Sequence, residues 1–211
     1  MHAVSAAQRR ERLAAARLYL CTGPRQERGD LAEFLTAVLG GGVDVVQLRA
    51  KGMSVREVMA VAEVVAAACG QHGALFAVND SAEVAYATGA DLLHVGQRDL
   101  PPTLARELVG EDVLIGQSVG TFGEVDAVAH VDYFSAGPVW SQRGRPAGLG
   151  IVRHAARVAD RAWFASGGIE RSTLRILMAT GARRIVVGRA LTEAADPGAE
   201  AAALAAQLRE V

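Results

Sequence analysis

The chain has 211 residues, enough for one domain that buries a full core without disulfides or metals as staples. Hydrophobic residues make up 51% but aromatics only 5%, so Ala, Val, Leu and Ile must build that core, which suits helices on a buried parallel sheet. A formal net charge of −1 argues against nucleic acid or an anionic membrane as partner, and no apolar run approaches the ~20 residues a bilayer span needs.

Arg9, Arg10, Glu11 and Arg12 are followed by no signal-peptide core. Cys21 and Cys69 form no CxxC pair and read as small buried hydrophobes. A cytoplasmic protein in a reducing compartment is expected.

Residues 1–15 read as an N-terminal extension, a helix that either plugs the bottom of the domain or packs on a neighbour. From there short apolar runs alternate with helical patterns. Strands are expected at 18–21, 43–48, 75–78, 92–95, 113–116, 133–136, 163–165 and 184–187. Helices are expected at 31–39, 55–69, 82–88, 104–108, 122–128, 152–158, 171–179 and 199–209. Asp30, Ser54 and Ser81 are suitable N-caps, Pro101–Pro102 suits a first turn, and Gly40, Gly70, Gly89 and Gly181 fall where helices should stop. Eight strand–helix units in residues 16–211 predict a (β/α)8 TIM barrel of the α/β class. A doubly wound open sheet shares this grammar, but no GxGxxG follows the first strand. A homodimer is expected by analogy with such barrels.

In this fold active sites lie beyond the C-terminal ends of the strands. Those ends carry Gln47, Arg49 and Lys51, then Asn79-Asp80, His94 to Asp99, Gln117-Ser118, Gly137-Pro138, Gly167-Gly168 and Gly188-Arg189. The opposite ends carry mostly Gly, Ala and Asp joints.

Asp80 and Asp99 form the candidate metal pair. Mg²⁺ takes few protein oxygens and completes its octahedron with water and phosphate; the competing reading makes each carboxylate a helix cap. Arg49 and Lys51, the only lysine in the chain, place positive charge beside that pair, as a pyrophosphate leaving group requires. Gly167-Gly168 and Gly188-Arg189 match the phosphate position after the last two strands of many barrels. His94 is either a hydrogen-bonded core histidine or part of the site. Ser118 has no His or Asp partner by spacing and reads as a hydroxyl donor to substrate. The expected partners are therefore small phosphorylated molecules.

The motifs QLRAKG (47–52), VND (78–80), HVGQRDL (94–100), IGQS (115–118), DYFSAGPVW (132–140), GGI (167–169) and the terminal IVVGRAL occur in order. By these the chain resembles the thiamine-phosphate synthase family from residue 18 onward. The resemblance implies a Mg²⁺-dependent transferase that joins hydroxymethylpyrimidine diphosphate to hydroxyethylthiazole phosphate. In that family pyrophosphate leaves first and the thiazole nitrogen captures the resulting cation.

It further implies that Gln47, Arg49, Lys51 and Asn79 contact the pyrimidine diphosphate and that Asp80 and Asp99 hold Mg²⁺. Ser118 and His94 would line the reacting centre, and Gly168, Gly188 and the backbone by Arg189 would hold the thiazole phosphate. Arg49, Lys51 and Ser118 are the catalytic side chains so implied. The family's T-x-T-K loop after the sixth strand is replaced by a shorter run in which Arg143 or Arg145 could replace the missing charge. That departure leaves open a related transferase or isomerase with another acceptor, or a non-catalytic thiazole-phosphate binder. Gly120, where the related tautomerases use a histidine, argues against that activity.

Overall fold

The computed structural model describes residues 5–140 and 146–210. Strands β1 (Leu18–Thr22), β2 (Val45–Leu48), β3 (Leu75–Asn79), β4 (Leu92–Val95), β5 (Leu114–Val119), β6 (Tyr133–Ala136), β7 (Ala162–Ser166) and β8 (Ile185–Val187) pair in parallel in that order. β8 also pairs with β1, closing a TIM barrel. Helix α1 (Ala6–Ala15) precedes β1. The crossovers are α2 (Leu31–Gly40), α3 (Val55–His72), α4 (Ala82–Ala87), α5 (Pro102–Val109), α6 (Phe122–Ala127), α7 (Gly148–Val158) and α8 (Arg171–Met178). After β8 come α9 (Arg189–Thr192) and α10 (Pro197–Arg209).

The strands show no hydropathy alternation because both of their faces are covered. Leu18, Leu20, Val46, Phe76, Val78, Leu93, Ile115 and Phe134 face the helix ring. Tyr19, Val45, Leu75, Ala77, Leu92, Leu114, Tyr133 and Phe164 fill the barrel. Space inside is rationed at Gly116, the register partner of Tyr133, where any Cβ would collide with the Tyr133 ring.

Helix α1 closes the N-terminal end of the barrel. Its Leu13 is buried among the interior residues, a contribution of about 2 kcal/mol. Arg9 binds Asp91 at 2.7 Å and Arg10 binds Asp132 at 3.2 Å, both just ahead of strands. A capping box of Ser5 and Gln8 starts the helix.

Several local expectations need correction. Asp30 makes no side-chain cap, because Arg25 takes both carboxylate oxygens at 2.6 and 2.7 Å. Gly70 does not end α3, which runs on to His72 and stops at left-handed Gly73. β5 extends through Gln117 and Ser118, so these belong to the strand rather than to a following loop. Helix α7 begins at Gly148 rather than near 152, and α9 occupies what was expected to be loop.

Candidate active site

The C-terminal ends of β2 to β5 enclose a cavity of about 270 Å³, and every charged residue expected there from the second to the fourth strand end lines it. Arg49 and Lys51 enter from the β2 end, Asn79 and Asp80 from β3, His94 and Asp99 from β4, and Ser118 from β5. Gln47 lies beneath, buried, with its amide engaged by Tyr19 and Asn79.

Neither carboxylate is consumed as a helix cap. Ser81 caps α4 through a 3.2 Å bond from Val84 N, and Pro101 occupies the cap position of α5. Asp80 instead sits at φ 65°, a left-handed conformation that few residues other than Gly accept and Asp tolerates. Asp99 accepts a 2.7 Å bond from Gly96 N, which with Lys51 and Arg98 holds its carboxyl below the usual range. Burial and the hydrogen bond to Asp99 push Asp80 up. The two carboxyls are thus pushed apart in acidity, as expected of neighbouring acids whose like charges disfavour joint ionisation. Lys51 Nζ, exposed, lies 3.8 Å from Asp80 Oδ2.

Among the described residues no group of three or more His, Cys, Asp or Glu side chains could hold a metal. A divalent ion at Asp80 and Asp99 would therefore depend on water or ligand oxygens for the rest of its shell, as Mg²⁺ prefers and Zn²⁺ does not.

Below the cavity runs a buried polar chain. Gln47 Nε2 donates to Asn79 Oδ1 at 2.6 Å, and Tyr19 Oη donates to Gln47 Oε1 at 2.8 Å. Tyr19 and Tyr133 hydroxyls meet at 3.1 Å, His94 Nδ1 is 3.1 Å from Tyr133 Oη, and His94 Nε2 is 2.9 Å from Ser118 Oγ. Ser135 stands 3.4 Å from both His94 Nε2 and Ser118 Oγ. His94 is hence a fully bonded core histidine that also borders the cavity, and burial lowers its pKa to about 4, leaving it neutral at pH 7. Ser118 does have a histidine partner, one that spacing along the chain did not disclose.

Tyr19, Tyr133 and Ser135 escaped the reading of the sequence, since each lies inside a strand that reads as apolar. The available signal was the pairing of a strand-interior glycine, Gly116, with a neighbouring strand's tyrosine.

A second cavity, of about 720 Å³, lies between the ends of β7, β8 and β1. Gly167, Gly168, Gly188, Arg189, Cys21 and Trp140 contribute to its wall. Here the glycines have a steric reason. Gly167 and Gly168 take φ of 94° and 67°, and Cβ atoms there would strike Pro138 and the Trp140 carbonyl. The loop after β6 is laced to β7 by Val139 N to Ser166 O at 2.8 Å and Trp140 N to Gly167 O at 2.9 Å. Arg143 and Arg145 lie outside the described residues.

The profile described as "Thiamine monophosphate synthase" matches residues 18–191. Thiamine-phosphate synthase of Thermobifida fusca is 54% identical over 208 residues, 94% of this chain and 95% of the relative. That of Acidothermus cellulolyticus is 52% identical over 204 residues, 93% and 96% of the two chains. The solved thiamine phosphate pyrophosphorylase of Pyrococcus furiosus superposes with a TM-score of 0.86 at 28% identity, covering 95% of this chain and 98% of the other. The chain belongs to the thiamine monophosphate synthase family.

Proposed function

We propose that this chain is a thiamine-phosphate synthase, transferring the hydroxymethylpyrimidine group from its diphosphate to hydroxyethylthiazole phosphate with release of pyrophosphate. The observation that carries the reading is the meeting of Arg49, Lys51, Asp80 and Asp99 in one cavity at the barrel mouth, in a chain about half identical to synthases along nearly its whole length.

The diphosphate lies against Arg49 and Lys51, whose charges offset the negative charge that gathers on pyrophosphate as it departs. Asp80 and Asp99 hold Mg²⁺, which adds to that neutralisation when bound. Gln47 and Asn79 orient the pyrimidine end, and Ser118 and His94 border the reacting centre. The thiazole phosphate rests on the backbone amides at Gly168, Gly188 and Arg189, where the two glycines leave room for close approach. Arg143 or Arg145 supplies the charge that the family's loop lysine would carry, as a guanidinium fork rather than a point charge.

Residues 16–211 are the catalytic domain and residues 1–15 an N-terminal extension, whose helix α1 closes the base. The protein works in the cytoplasm on free small molecules, as a homodimer; light scattering tests the last point. Among the described residues no helix is long and apolar enough to cross a membrane.

Incubation of the purified protein with both substrates and Mg²⁺, followed by chromatography for thiamine phosphate, tests the assignment. Product that disappears on chelation is the expected result. Folded protein that binds the diphosphate and yields no product would transfer the activity to another acceptor.

A further inference from the structure

The buried polar chain spans the barrel from Asn79 on β3 to Ser118 on β5, and each hydroxyl in it has only one proton to give. We propose that Tyr19 and Tyr133 are positioning residues that fix His94 as its Nδ1–H tautomer, so that Ser118 donates its proton inward and turns an oxygen lone pair toward the substrate.

The order of donors follows by elimination. Tyr19 spends its proton on Gln47 Oε1 at 2.8 Å, so at the 3.1 Å contact between the tyrosines it can only accept. Tyr133 therefore donates to Tyr19 and has no proton left for His94. The 3.1 Å bond between Tyr133 Oη and His94 Nδ1 then requires Nδ1–H, and a neutral imidazole keeps a bare lone pair at Nε2. Ser118, 2.9 Å away, is the near donor into that lone pair, while Ser135, 3.4 Å from both groups, gives its proton to Ser118 Oγ.

The reverse order requires both amides to turn over together. Turning Gln47 alone would face its oxygen against Asn79 Oδ1 across 2.6 Å. Turning both would present the Asn79 oxygen to the cavity it shares with Asp80 and Asp99. A third acceptor beside two carboxylates is unfavourable in the metal-free, substrate-free protein, the state in which the tautomer is read. The chain is thus held at its Asn79 end, and its polarity is passed to Ser118 across the core. A hydroxyl with a free lone pair and its proton spent can accept a bond from an exocyclic amino group but cannot donate one to a ring nitrogen. The chemical consequence for the pyrimidine rests on the synthase reading; the tautomer does not.

Long-range ¹H–¹⁵N correlation spectra of the full chain labelled at histidine read the tautomer without substrate, with a His94→Gln variant to assign the signal. The wild type is expected to show protonated Nδ1 and bare Nε2. Tyr19→Phe removes the oxygen that takes the Tyr133 proton, so Tyr133 should donate to His94 instead and move the imidazole proton to Nε2. In the same variant kcat should fall about tenfold, the cost of one misdirected hydrogen bond, with KM for the diphosphate retained by Arg49 and Lys51. A wild-type spectrum with Nε2–H overturns the proposal even where the variant does not fold. A folded Tyr19→Phe that keeps Nδ1–H overturns it as well. An Nδ1–H wild type that makes no thiamine phosphate supports the tautomer and removes the synthase reading instead.

Discussion

Aspartates stand at both ends of the barrel and do opposite things. At the N-terminal end, Asp44, Asp91 and Asp132 each directly precede an even-numbered strand. Each accepts a backbone N–H near the start of the strand before it: Leu18, Phe76 and Ile115, all at 2.9 Å. Arginines take up Asp91 and Asp132 further, through Arg9 at 2.7 Å and Arg106 at 2.7 Å. At the C-terminal end Asp80 and Asp99 face each other and a cavity, and their acidities are pushed apart, Asp80 up and Asp99 down. Identical side chains thus fasten neighbouring strands at one end of the barrel and line an open cavity at the other. The hydrogen-bond ledger of each carboxylate, rather than its presence, separates framework from site.

Two substitutions test that separation directly. Asp99→Asn leaves the fold in place and removes one of the two anionic oxygen donors proposed to hold Mg²⁺. A loss of about 10²–10³ in kcat/KM is expected, with urea unfolding unchanged to within about 0.5 kcal/mol. Steady-state kinetics against Mg²⁺ concentration measure it, and unimpaired turnover would remove Asp99 from the metal site. Asp132→Ala should do the reverse. It strands Arg106 and the Ile115 N–H in a part-buried setting, for a stability loss of about 3 kcal/mol. The kinetic constants of the folded fraction should not move. If they do, the two ends are coupled and the contrast fails.

A smaller effect separates the ends by pH. His94 has its pKa lowered to about 4 by burial, so between that value and the ordinary ~6.5 the unfolded chain binds the proton that the folded chain refuses. Stability therefore falls as pH drops, by about 2 kcal/mol from pH 7 to 5 for this group. Carboxylates held below their usual range also lose stability on acidification, as Asp99 does through Gly96. The diagnostic quantity is therefore the difference between wild type and His94→Gln in urea unfolding at the two pH values. Parallel slopes would mean that His94 titrates normally and that the polar chain is wet.

Legibility in the sequence divides along the same line. The mouth was readable because polar residues interrupt apolar strands only there, which brought out Arg49, Lys51, Asp80 and Asp99. The barrel itself was readable from eight strand–helix units and their glycine joints. The interior was not: with both faces of every strand buried, nothing in the pattern marks Tyr19 and Tyr133 as inward or brings His94 to Ser118, which are 24 positions apart in the chain. Polar residues at the end of β5 were mistaken for a loop, since Gln117 and Ser118 break the apolar run while staying in the ladder. Gly70 misled because a helix tolerates glycine at modest cost, whereas Gly73 is required to turn left-handed. Asp30 failed as a cap because Arg25, five residues earlier, competes for the same oxygens with two charged bonds. Gly167 and Gly168 were noticed for phosphate, yet their tightest constraint is the loop from β6 pressed against them.

The least effect belongs to a neighbour of the most buried fastener. Arg9 and Arg10 sit side by side on α1 and both reach aspartates at the base of the barrel. The Arg9 side chain is 13% exposed and also donates to Asp112 O at 2.8 Å, whereas the Arg10 side chain is 50% exposed with a longer 3.2 Å contact. Solvent screens the second pair and its long side chain loses rotamer freedom in making it. Arg10→Ala should therefore cost no more than about 0.5 kcal/mol in urea unfolding, because Arg106 still holds Asp132 from the other side. A loss as large as that of Asp132→Ala would mean that Arg10, Asp132 and Arg106 act as one cooperative unit, in which case α1 is a structural part of the barrel floor rather than a plug laid over it.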